Sequence, residues 1–97
     1  MRLMQSWPED DVAFWDAAAE GRLVLEGNES SGYGTVKAVS AEGSVNLAEV
    51  QLDDGPRVTG AVVGKGAASA SPGDRVRTVY EALGHGRNRP CFHLDFA

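Results

Sequence analysis

Two apolar-rich runs, residues 45–52 and 57–63, flank the turn segment Asp53-Asp54-Gly55-Pro56. Alternating Val, Leu and Thr on either side of an Asp/Gly/Pro break predict a β-hairpin. In the first run Ala48, Val50 and Leu52 share one face, whereas Val45 and Leu47 lie on the other parity, a slip that predicts a β-bulge between Leu47 and Ala48. In the second run Val58, Gly60 and Val62 share a face, and Gly60 removes a side chain where a sheet must bend. Further extended segments follow from the same alternation. Residues 22–25 form a short extended segment and 35–39 a strand, Val76, Thr78 and Tyr80 alternate with Arg75, Arg77 and Val79, and the last strand puts Phe92, Leu94 and Phe96 opposite Cys91, His93 and Asp95. Residues 26–34 read as a polar loop and residues 64–71 as a mobile one.

Ahead of the strands, residues 9–19 have helical periodicity. Val12, Trp15 and Ala19, joined by Phe14 and Ala18, form an apolar stripe. Ser6 and Glu9 are spaced as a capping box, Pro8 suits the first turn, and Gly21 suits the residue that ends the helix. The expected fold class is therefore mainly β: a five-stranded OB-type Greek-key barrel preceded by one N-terminal α-helix, with residues 1–97 as a single domain.

Composition narrows the chemistry. A chain of 97 residues is long enough to bury a modest core without staples. Its single cysteine excludes an internal disulfide framework and a cysteine zinc site, so no metal is expected. No apolar run is long enough for a membrane span and no signal core precedes the helix, which makes the cytoplasm the default location. The formal charge of −5 argues against a nucleic-acid surface, which needs clustered cations. The Gly60 to Gly66 segment is one residue short of a phosphate loop and lacks its Ser or Thr. Cys91 and His93 alternate on one strand, too few ligands for a structural zinc. The carboxylates of Asp53, Asp54 and Asp74 fall in turns, where Asp serves the local backbone. No catalytic residue is assigned.

Two groups remain. Arg75, Arg77, Arg87 and Arg89 fall within fifteen positions and are candidates for an anion site that would take CoA phosphates. The alternative is a solvated strand face paired with nearby Asp and Glu, and exposed pairs of that kind are common. Phe14 and Trp15 project about 100° apart on a helix, so one faces the barrel and the other a different surface. With Trp7 nearby, this trio is a candidate partner-binding patch, Phe14 and Trp7 being surplus to the core. The alternative is that the aromatics cap the open end of the barrel.

Residues 14–25, together with Gly34-Thr35-Val36, Ala48 to Gly55, Pro72 to Val76 and Cys91-Phe92, occur in an order that resembles the acyl-CoA-associated OB-fold proteins. Those proteins carry a rubredoxin-like zinc ribbon followed by an OB-fold. The resemblance covers residues 14–96 and implies an accessory, non-catalytic subunit that binds a larger thiolase-fold, ketosynthase-like or aldolase enzyme acting on acyl-CoA thioesters. It implies no tightly bound cofactor, although a CoA thioester shared with the partner fits. Residues 26–33, where the resembling proteins place four zinc-binding cysteines, contain none. Assembly as a homo- or hetero-oligomer is compatible with that role. The competing reading is a small independent enzyme or ligand-binding OB protein that uses the barrel mouth and the four arginines.

Overall fold

A computed structural model describes residues 7, 8 and 10–95. The Ser6–Glu9 capping box and Phe96 of the expected last strand lie outside the described residues. Element order is α1 (Val12–Ala19), β1 (Leu23–Leu25), β2 (Asn28–Ser30), β3 (Tyr33–Glu42), β4 (Val45–Leu52), β5 (Arg57–Val62), β6 (Arg75–Gly84) and β7 (Arg87–Leu94). Strands β3 to β7 close into a barrel in the order β3-β4-β5-β7-β6. Every neighbour is antiparallel except β5 and β7, which meet in parallel at Val62 and Phe92. This is the expected OB-type barrel with its helix ahead of the strands.

The central hairpin forms as its alternation predicts, and Val50, Leu52, Val58 and Val62 point into the core. The bulge is elsewhere. Pairing is continuous through Leu47 and Ala48, and the extra residue is Lys37 on β3, between Val36 and Ala38. Leu47 and Ala48 are both buried because both faces of β4 are covered at that point. The polar stretch after β1 is not all loop. Glu26 and Gly27 adopt positive φ (52° and 82°) and join Leu25 to Asn28, so β1 and β2 form a two-residue hairpin. Residues 64–71, expected to be mobile, contain a short 3₁₀ turn (Ala67–Ser69), with Ala67 and Ala70 against the core.

Helix α1 begins later than expected, because Asp11 supplies its cap: the Phe14 N–H donates to Asp11 Oδ1 at 3.2 Å. It ends at Gly21 (φ 78°), where the Gly21 and Arg22 N–H groups donate to the Ala18 and Ala17 carbonyls at 3.0 and 2.9 Å. Both bonds of a Schellman motif are present. The buried face of α1 is Phe14, Ala17 and Ala18. The expected stripe is out of phase, with Val12 70% exposed. Almost every residue of this helix is apolar, so periodicity cannot choose between its faces. Two adjacent alanines next to one Phe let the helix lie close to β1 and β7, which decides the matter.

Candidate functional site

The aromatic trio closes the end of the barrel. Phe14 has no exposed surface and Trp7 only 4%, so the expectation that they are surplus exposed rings is overturned. Trp7 stacks on Phe14 at 5.5 Å and lies 6.0 Å from Phe92, while Phe14 meets Trp15 edge-on at 4.8 Å. Gly60 makes this plug fit. A Cβ there would stand 3.0 Å from the Phe92 ring and 3.3 Å from Trp7. In this fold Trp7 and Phe14 have almost no surface to offer a partner. Trp15 is half-buried, with its indole N–H donating to the Pro8 carbonyl at 2.9 Å.

The four arginines do not converge. Arg75 and Arg77 sit at the start of β6, whereas Arg89 pairs across from Glu81 and Arg87 from Gly84. At about 3.3 Å per residue, members of the two pairs are roughly 13–30 Å apart along the ribbon. Sequence proximity misleads here because a hairpin separates residues on its tip from residues at its base. Three of the four are also engaged. Arg75 grips Asp53 through two 2.7 Å bonds and adds a 3.0 Å bond to the Thr35 hydroxyl, which holds the Asp53 carboxyl below its usual range. Arg89 pairs with Glu81, and Arg87 lies 4.4 Å over the Trp15 ring. Arg77 has no ion pair among the described residues.

Two larger clefts border these groups, besides a small one at Arg75. The first, about 380 Å³, is lined by Trp7, Val45, Leu47, Gly60 and Ala61, with Glu42 and Arg89 as its charged members. Nε of Arg89 is buried without a hydrogen-bond partner among the described residues. The second, about 510 Å³, lies between α1 and the β6–β7 turn. Val12, Trp15 and Ala19 form one side with Asp10 and Asp16, and His85, Gly86 and Arg87 the other. Cys91 belongs to neither. Its thiol is buried 3.7 Å from Glu81 Oε1, and burial pushes its pKa up, the opposite of what a nucleophile needs. Among the described residues no three of His, Cys, Asp and Glu converge to hold a metal ion, and no helix is long and apolar enough to cross a membrane.

No protein-family model and no curated protein matches the chain. Its barrel, helix and hairpin do have a counterpart among solved structures. The fold is that of a chain of the Ltp2-ChsH2(DUF35) aldolase. The likeness covers 93% of this chain and 98% of that one, with a TM-score of 0.71 at 17% identity. At that identity the likeness speaks for the fold.

Two residues that position these sites carry no sequence signal. The Asn88 side chain donates to the Ala18 and Ala19 carbonyls at 3.2 and 3.4 Å, tying the end of α1 to β7. Asp54 accepts from the Ser30 hydroxyl at 2.7 Å and the Ser31 N–H at 2.9 Å, tying the β2 end to the β4–β5 turn. Both bonds join segments far apart in the chain, and only the folded barrel brings them together.

Proposed function

We propose that this chain is an accessory, non-catalytic subunit that assembles with a larger enzyme acting on acyl-CoA thioesters, of thiolase-fold, ketosynthase-like or aldolase type. The observation that carries the reading is the likeness, over nearly the full length of both chains, to a DUF35 protein paired with an aldolase. The chemistry of the described side chains supports it. Asp53, Glu81, Asp54 and Asp11 hold an arginine, an arginine, a serine pair and a helix start, respectively. These are structural duties. A CoA thioester would then belong to the partner's active site and be shared at the interface.

A second reading has one observation in its favour. The cleft beside Trp7 and Arg89, at about 380 Å³, falls within the size range of small-molecule sites. The test separates the two. Protein purified at native expression levels should carry a stoichiometric acyl-CoA enzyme, identified by mass spectrometry, whose turnover falls when this chain is removed. A monomer that purifies alone and adds nothing to such an enzyme's turnover would favour the ligand-binding barrel.

A further inference from the structure

Helix α1 has a second apolar stripe, of which the barrel takes up only part of Trp15. Val12, Trp15 and Ala19 recur at helical spacing on the face away from Phe14, Ala17 and Ala18, and Val12 is the most exposed of the large apolar side chains described. An exposed aliphatic side chain beside a half-buried tryptophan is a seat for another apolar group.

The groove around this stripe is already built. Its opposite wall is the β6–β7 turn, where Gly84, His85 and Gly86 all take positive φ (92°, 55° and 75°). That wall is fixed to the helix at two points: Asn88 on the Ala18 and Ala19 carbonyls, and Arg87 on the Trp15 ring. Floor and wall therefore cannot separate easily, and an occupant meets a preorganised surface.

Charge selects the occupant. Asp10 and Asp16 stand on the helix side of the groove, and neither makes an ion pair among the described residues. The turn's cation, Arg87, is already held over the indole. A phosphate would face two carboxylates against that one guanidinium. A second copy of a chain with a formal charge of −5 would bring no net positive charge to those carboxylates.

We infer that this groove receives a segment of the partner subunit presenting an aliphatic side chain with a lysine or arginine beside it. The aliphatic group sits on Val12, Trp15 and Ala19, and the cation lies against Asp16 and Asp10. The inference rests on the accessory-subunit reading and names the surface through which that assembly is made.

The test uses the partner enzyme identified by co-purification, titrated with purified wild-type chain and with Val12→Lys, Asp16→Lys and Asp16→Asn variants. Tyr33→Ser, an exposed change outside the groove, is the control. Val12→Lys and Asp16→Lys should each weaken binding roughly tenfold or more while keeping the wild-type thermal midpoint. Asp16→Asn should weaken it less and make it less sensitive to salt, because one screened charge pair is gone. Unchanged affinity in both lysine variants would sink the groove and leave the accessory reading standing. A wild-type chain that binds no acyl-CoA enzyme at all overturns both. Sedimentation of the chain alone covers the remaining occupant: a dimer that Val12→Lys dissociates assigns the groove to a second copy and refutes the inference.

Discussion

Replacing Phe14 with Ala tests the organisation of the whole helix end of the barrel. The ring is fully buried, stacked on Trp7 at 5.5 Å and edge-on to Trp15 at 4.8 Å. Truncating a buried Phe costs about 3–5 kcal/mol, the lost transfer energy plus the cavity left behind. Relaxation into the cavity is limited, since Trp7 is itself held between Phe14 and Phe92 over the bare Gly60 backbone. For a domain of this size the loss corresponds to a fall in thermal midpoint on the order of 15–30 °C. It removes much of the roughly 5–15 kcal/mol of stability that folded domains possess. The matched control is Val12→Ser, two residues away on the same helix and 70% exposed, which should change stability by less than about 0.5 kcal/mol. Urea unfolding followed by tryptophan fluorescence and by circular dichroism gives both values, with Trp7 and Trp15 as reporters. Equal midpoints for the Phe14 variant and wild type, or a larger loss from Val12→Ser, would mean that the helix buries its other face and that the plug described above is wrong.

Two more outcomes follow from local geometry. Gly34→Ala would bring a Cβ to 2.6 Å from both the Gln51 carbonyl oxygen and Val50 Cγ1, so denaturant unfolding should show a loss of roughly 1–3 kcal/mol. Gly55→Ala, whose nearest neighbour is Leu52 Cδ1 at 3.4 Å, should leave the midpoint in place. The Cys91 thiol, its pKa raised chiefly by burial, should react slowly with a thiol reagent at neutral pH until the chain unfolds. Because its folded pKa lies above the unfolded one, its contribution to stability is complete below the ordinary thiol range and is lost as pH rises through the folded value. Cys91→Ala should flatten that alkaline decline in unfolding free energy, and an unchanged slope would refute the assignment.

The barrel was legible because its strands are half-buried, and alternation survives wherever one face meets the core and the other meets water. Val58, Gly60 and Val62 illustrate this. Three features escaped for physical reasons. Strand β2, Asn28–Ser30, is polar and held by a Glu-Gly turn and by Asp54, neither of which leaves a hydrophobic period. The face of α1 could not be phased, because Val12, Trp15 and Ala19 are as apolar as Phe14, Ala17 and Ala18. What selects the second set is the small alanine surface that admits the helix close to β1 and β7. The arginines looked clustered because they share fifteen positions, yet a ten-residue strand followed by an eight-residue one carries them to opposite ends of a hairpin.

The Glu26–Gly27 turn has a consequence for how such a chain can change. Strands β1 and β2 end opposite each other at Leu25 and Asn28, with only two residues between them. A chain that leaves through β1 and returns through β2 therefore re-enters the fold where it departed. Whatever is spliced between those ends adds chiefly the entropy of closing a longer loop, and that grows only slowly with length. The site is a socket. Here two residues span it, and barrel closure at Val62 and Phe92 involves neither of them. A reporter, an affinity handle or a metal-binding module grafted at this tip would ride on the barrel as a passenger.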